Sequence, residues 1–231
     1  RMAGVDVVTQ QIMPEMDQGE HQWVASSRDG EFFHYGLAKL GSSLAHVDDK
    51  KKGDSMCEIF GAFGWQEGIG LMKWLTDHMI SRGINLFTPN AFSLKPYPDS
   101  DCPPHFYAHG NQPQYRHFDC LMNYMNRLSN LFAKGKYPAQ IAVLYHADAE
   151  WAGEAMLYQK PVRILQQSQL DCDVIPVDLL KEDNTYGAVF GDGIRVAEQH
   201  YRILIIPGCE YLPLSVARFI AREKDNTACL F

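Results

Sequence analysis

Cys57-Glu58-Ile59-Phe60-Gly61-Ala62-Phe63-Gly64-Trp65 passes from alternating residues into a glycine-bounded turn, with one carboxylate near the turn. Asp54 to Phe60 reads as a short strand and Gly61 to Gly64 as the turn that ends it. What flanks this strand decides the fold. Upstream, Glu31 to Ala45 has helical spacing, with Phe33, Leu37, Leu40 and Leu44 on one face. Ser27 or Asp29 is positioned to cap that helix. Before it, Val5 to Ile12 is β-branched and apolar and stops at Pro14. Downstream, Ile69, Met72, Leu75 and Met79 mark a helix that ends at Gly83, and Ile84 to Thr88 is a further strand. Tyr115, Phe118, Met122, Met125, Leu128 and Phe132 then form the apolar face of a helix that stops near Lys134-Gly135. This alternation predicts parallel strands joined by right-handed crossovers. Three units are too few for a closed barrel, which has eight; if they are the last of eight, residues 1–135 are the C-terminal part of a (β/α)8 TIM barrel and the other five lie upstream.

Lys136-Tyr137-Pro138 reads as a boundary. Beyond it, Gln140 to His146 is a buried strand, Ala147 to Lys160 an acidic, aromatic loop, and Pro161 to Leu170 a helix. Cys172 to Val177 is a second strand. Gly187 to Val196 predicts a hairpin turning at Gly191-Asp192-Gly193. Arg202 to Pro207 is a third strand and Leu214 to Ala221 a helix. Residues 136–231 are expected to open a flavodoxin-like α/β domain. Val5-Asp6-Val7-Val8 and Ala228-Cys229-Leu230-Phe231 lie inside strand-like runs, which raises the expectation that the chain is an internal piece of a longer protein.

Hydrophobic residues make up 46% of the chain, enough for a sizeable core. The net charge of −7 and the lack of a basic cluster argue against nucleic acid as a partner. No apolar run is long enough to cross a bilayer, and no signal peptide is expected. The six cysteines are scattered and form no CxxC pair, which disfavours both structural zinc and a disulfide framework. A reducing compartment, cytoplasmic rather than periplasmic, is the expectation. A barrel lacking strands would expose apolar faces, so a homo-oligomer is allowed.

Glu58 is the first catalytic candidate. It sits near the carboxyl end of its strand, where parallel α/β folds place their chemistry. Apolar neighbours are expected to desolvate it, which favours the protonated form and suits acid–base work. Trp65 offers a stacking face for a sugar ring. The competing reading is a strand-end glutamate paired with Arg or Lys. Gln10, Gln11, Met13, Asp17, Glu20 and His21 follow the first strand and occupy another loop of the same face, either contacting substrate or simply solvated. The long Pro89–Pro113 segment carries six prolines together with Phe92, Tyr97, His105, Phe106, Tyr107 and His109, a composition that favours ligand contact over disorder. Cys102, His105 and His109, with Asp99 and Asp101, match no standard metal spacing. Cys209, just after a strand, is either a nucleophile on a sharp turn or a packed, inert thiol. His146, Asp148, Glu150 and Trp151 line either a ligand cleft or an interface. Three classes of function are therefore open: a glycoside hydrolase, a cysteine-dependent amidase or amidotransferase at Cys209, and a non-catalytic carbohydrate-binding piece. No cofactor is implied.

Four longer runs carry a resemblance: CEIFGAFGW (Cys57 to Trp65), RGINLFTPNAFS (Arg82 to Ser93), PPHFYAHGNQPQYRHF (Pro103 to Phe118) and IAVLYHADAEW (Ile141 to Trp151). The chain resembles large bacterial glycoside hydrolases related to the family 106 α-L-rhamnosidases. It is also similar in layout to family 42 β-galactosidases, a barrel followed by a glutamine-amidotransferase-like domain. The resemblance implies a carbohydrate substrate and catalytic carboxylates after the fourth and seventh barrel strands. Glu58 would follow the seventh, and the fourth would precede Arg1. Gln11, Trp65, Asn90, His105 and Arg116 are the expected substrate contacts. The resemblance also implies that the amidotransferase-like domain is non-catalytic, with Cys209 inert.

Overall fold

The computed structural model describes residues 3–8 (backbone), 31–61, 67–90, 92, 95 and 106–231. Three strands, β1 (Ala3–Val8), β2 (Ser55–Gly61) and β3 (Leu86–Pro89), form one parallel sheet in the order β1-β2-β3. Helix α1 (Leu37–Val47) precedes β2, α2 (Ile69–Ile80) precedes β3, and α3 (Phe118–Phe132) follows β3. Sequential strands that lie side by side with a helix between each pair are consecutive βα units. Cys57 and Ile59 of β2 share a buried cluster with Met72, Leu75 and Met79 of α2 and Leu121 and Met125 of α3. Strand alternation therefore turns Glu58 to the face away from these helices.

The second sheet contains β4 (Ile141–Tyr145), β5 (Cys172–Pro176), β9 (Ile203–Ile205) and β10 (Ala228–Leu230), all parallel, in the order β10-β9-β4-β5. Counted within this sheet the order is 2-1-3-4, the flavodoxin-like arrangement. The segment between β5 and β9 folds into an antiparallel sheet of β6 (Val189–Phe190), β7 (Ile194–Val196) and β8 (Gln199–Tyr201). The predicted hairpin thus turns at Gly191-Asp192-Gly193, as expected. Gly193 has φ +72, and a Cβ there would lie 2.4 Å from the Tyr201 carbonyl oxygen, so only glycine fits. Helix α6 (Leu214–Glu223) begins where it was predicted, and α5 (Gln159–Gln167) begins two residues before Pro161 and ends three before Leu170. Ala147–Ala152 differs: it forms a short helix, α4, where a loop was expected. Asp148 and Glu150 lie in its first turn, where carboxylates complement the helix dipole.

Helix α1 departs further from expectation. A single apolar face of Phe33, Leu37, Leu40 and Leu44 was predicted, yet Leu44 is exposed. Ala38, Lys39, Ser42, Ser43, Ala45 and Val47 are buried instead. The reason is that α1 packs against both β1 and β5, and so is enclosed between the two sheets. A π-helical turn (Phe32–Gly36) leads into it. The predicted capping residues Ser27 and Asp29 lie outside the described residues. Helix α3 likewise begins at Phe118, after a 3-10 turn at Tyr115–His117, leaving Tyr115 and Phe132 exposed.

The polar side chains of α1 are buried because each meets a partner. Ser43 Oγ accepts the backbone N–H of Val174 at 2.8 Å, supplying a partner to the edge strand β5. Ser42 Oγ donates to the Arg82 carbonyl at 2.7 Å. Lys39 Nζ lies 3.5 Å from Asp173 Oδ1, and neither side chain is exposed. The ammonium also donates to the Tyr137 hydroxyl at 2.6 Å. Asp173 further accepts from Tyr201 Oη at 2.7 Å and meets His46 Nδ1 at 2.9 Å. Burial alone would push the Asp173 carboxyl up, but Lys39, together with His46 and Tyr201, holds it well below the usual carboxylate range. Burial likewise opposes the charge on Lys39, and Asp173 and Asp171 overcome it. Just before the π-helical turn, Glu31 pairs with two residues of α5, Lys160 at 2.9 Å and Arg163.

Breaking a buried pair from one side strands the other charge in a low dielectric. Lys39→Met should destabilise the protein by about 3–5 kcal/mol, read as a lower urea midpoint at neutral pH. A loss below about 1 kcal/mol would mean that water reaches Asp173.

Candidate active site

Glu58 and Asn90 meet at the carboxyl end of the first sheet. Asn90 Nδ2 donates to Glu58 Oε1 at 2.6 Å. The backbone makes this contact possible: Thr88 is level with Glu58, Pro89 is level with Ile59, and the Asn90 N–H donates to the Ile59 carbonyl at 2.8 Å. The Asn90 side chain is thereby carried one step past the end of β3, beside the neighbouring strand. Its Oδ1 is buried and has no hydrogen-bond partner among the described residues. Two of the expected site residues are therefore in direct contact.

The strand is irregular just beyond Glu58. Asp6 pairs with Glu58 but Val8 pairs with Gly61, so β2 carries one more residue than β1 over this stretch. This is a β-bulge, a device that re-aims side chains near sheet ends. Phe60 takes up the extra residue with φ +75, a left-handed conformation that is costly for a bulky side chain. Its ring is fully buried and meets Phe106 edge to face at 6.3 Å. Phe106 stacks in turn on Phe118 at 4.3 Å. Packing thus fixes the bulge immediately after the carboxylate. The register also places Asp6 of β1 level with Glu58.

Glu67, which the sequence reading passed over, lies in the segment between β2 and α2. Its side chain is 2% exposed, and neither carboxyl oxygen has a hydrogen-bond partner among the described residues. Burial pushes its carboxyl up to about 9, so it carries its proton at neutral pH. The signal available in the sequence was its setting, a lone carboxylate between Trp65 and the apolar helix that starts at Ile69. Gln114 braces the same helix start, its Oε1 accepting the Ile69 N–H at 2.7 Å.

The remaining candidates separate. Arg116 is exposed on the 3-10 turn before α3, and its Nε–H donates to His117 Nε2 at 3.0 Å. Gln11, Trp65 and His105 lie outside the described residues, as do Gln10, Met13, Asp17, Glu20 and His21 after β1, and Cys102, Asp99 and Asp101. Among the described residues, no group of three or more His, Cys, Asp or Glu side chains could hold a metal. None of the described helices is long and apolar enough to cross a membrane. Cys209 is half-buried and bridges to Ala155 in antiparallel fashion, and burial pushes its thiol up. A nucleophilic cysteine needs the opposite shift. His146 is fully buried, with Nε2 donating to the Pro207 carbonyl at 2.8 Å, while Trp151 is almost fully exposed. A cleft between the two sheets is lined by Asp48, Lys52, Gly53, Asn85, Lys136 and Glu198. Gly53 and Asn85 precede β2 and β3, so this cleft opens at the end of the sheet opposite Glu58.

No protein-family model matches the chain. No curated protein matches it. Solved structures do. A rhamnosidase from Novosphingobium sp. PP1Y superposes with a TM-score of 0.58 at 17% identity, over 99% of this chain and 20% of that one. A β-galactosidase from the psychrophilic Marinomonas ef1 gives a TM-score of 0.44 at 11% identity, over 96% of this chain and 33% of that one. The chain therefore spans about a fifth of the rhamnosidase, and shares with that stretch a mixed α/β fold of parallel sheets.

Proposed function

We propose that the protein serves the hydrolysis of O-glycosidic bonds in a glycan. In this reading residues 1–135 are the closing βα units of a TIM barrel, and residues 136–231 open a glutamine-amidotransferase-like domain. The observation that carries the reading is Glu58. Its carboxyl group lies near the carboxyl end of a parallel strand, on the face away from the helices. Asn90 holds it, and the bulge at Phe60 follows it. In barrels of parallel strands that end is where catalytic groups gather. The fold likeness to a rhamnosidase supports the class, and makes an α-L-rhamnoside the first substrate to test.

Glycosidases generally use two carboxyl groups. One passes a proton to the leaving oxygen, and the other attacks the anomeric carbon or activates water against it. Glu58 takes one of these roles as acid, base or nucleophile. Asn90 orients it through Nδ2. Gln11, Trp65, His105 and Arg116 complete the proposed sugar contacts. Glu67 adds a protonated carboxyl in the following segment, the state that proton donation requires.

A carboxyl raised to about 9 also leaves a mark on stability. Between its ordinary value near 4.5 and about 9, the folded chain holds a proton that the unfolded chain has lost. Stability therefore falls as pH rises through that window. Glu67→Gln removes the titration. The stability difference should move in the variant's favour by up to about 4 kcal/mol between pH 5 and pH 8, measured by chemical denaturation. A difference that stays constant over that interval is incompatible with a buried, titrating Glu67. For the reaction itself, Glu58→Gln should lower turnover of 4-nitrophenyl α-L-rhamnoside by about 100- to 10,000-fold, with the circular dichroism spectrum unchanged. Near-normal turnover by that variant would sink the assignment.

A further inference from the structure

Three exposed aromatic rings lie together on the segments that follow β3 and precede α3. Phe92 is 58% exposed, Tyr107 43% and Tyr115 38%. Phe92 meets Tyr115 edge to face at 6.0 Å, and Tyr115 meets Tyr107 at 5.1 Å. Phe92 also touches Phe106 at 6.0 Å, and Phe106 packs against Phe60. The rings thus form a continuous run from the bulge after Glu58 to the surface. Phe92 follows Asn90 by two residues, which limits the separation of their Cα atoms to about 7 Å. The run is anchored from below by the buried stack of Phe106 on Phe118. From the side it is held by Ala108 and His109, both at positive φ, and by His109 Nε2, which meets the Lys95 carbonyl at 2.8 Å.

Exposed large aromatics gathered in one place mark a binding surface rather than a core. Their ring faces carry negative potential that attracts polarised C–H bonds, and the tyrosine hydroxyls add polar contacts at the rim. The exposed residues around them, Asn111, Gln114 and Arg116, are polar. A pyranose ring fits this chemistry, with C–H bonds on its faces and hydroxyls around its edge. We propose that Phe92, Tyr107 and Tyr115 form a stacking platform for a sugar ring adjoining the one held at Glu58, so that the protein takes an oligosaccharide rather than a single sugar. This rests on the glycosidase reading for its register with Glu58. The occupant is a glycan, not a protein, because the rings run through Phe106 and Phe60 to the strand that carries Glu58, and the exposed residues at their rim are polar.

The test is binding by the Glu58→Gln variant, which separates recognition from turnover. A rhamnose-terminated trisaccharide and free L-rhamnose are titrated calorimetrically. The trisaccharide should bind the more tightly. Adding Phe92→Ala or Tyr115→Ala should weaken it about tenfold while leaving L-rhamnose unchanged. Both positions are exposed, so folding is spared, and Tyr115→Phe should retain the affinity. A trisaccharide held no more tightly than L-rhamnose, or held equally by the alanine variants, overturns the platform. Failure of the hydrolytic reading has a different signature: the wild-type protein binds the trisaccharide tightly and never cleaves it.

Discussion

The contact between Lys39 and Asp173 sets the architecture. Each residue is out of reach of water, so neither charge is tolerable without the other. Lys39 belongs to a helix of the first half and Asp173 to the edge strand of the second sheet, so satisfying the pair fixes the two halves against each other. Tyr137, His46 and Tyr201 then take up the remaining hydrogen-bonding capacity. This arrangement adds less stability than an apolar contact of the same size could, since both ions lose their hydration. Its contribution is to geometry: a placement of α1 that separated Lys39 from Asp173 would leave a buried charge unpaired.

The site at the far end of β2 uses the backbone differently. A one-residue bulge and a phenylalanine in the left-handed region are both unfavourable in isolation. They persist because Phe106 and Phe118 seal the Phe60 ring into the core. The strain is thereby offset by the same aromatic packing that extends outward to Phe92, Tyr107 and Tyr115. Glu67 adds a second unfavourable element, a carboxyl group buried without a hydrogen-bond partner among the described residues. Violations of this kind collect where a fold serves something other than its own stability.

Much of this could be read from the sequence where it is periodic. The strands at Ser55–Gly61, Ile141–Tyr145 and Cys172–Pro176 and the helix at Ile69–Ile80 fall within a residue or two of their apolar patterns. Glu58 was reached from its place at a strand end, and Asn90 from the resemblance. The polar face of α1 was not legible. Lys39, Ser42 and Ser43 look like solvent-facing residues by local spacing, and the partners of Lys39 and Ser43 lie about 130 positions away. The bulge left no trace either, because the left-handed residue is Phe60 rather than a glycine. Glu67 was passed over because it lies in the short connection between β2 and α2, where local spacing says nothing of burial. The aromatic loop was recognisable by composition, but the meeting of Phe92 with Tyr115 depends on the fold.

The bond from Ser43 to the N–H of Val174 bears on how such a chain can be assembled from parts. By sequence, the material after residue 135 looks like a cassette that could be exchanged for another of the same topology. The hydroxyl that completes its outer strand, however, is encoded more than a hundred residues earlier, with Lys39 and Tyr35 on the same helical stretch. A transplanted sheet would meet a lid cut for a different rim. Recombination at the apparent joint therefore has to carry α1 along, and the exchangeable unit is longer than the stretch that the chain order marks out.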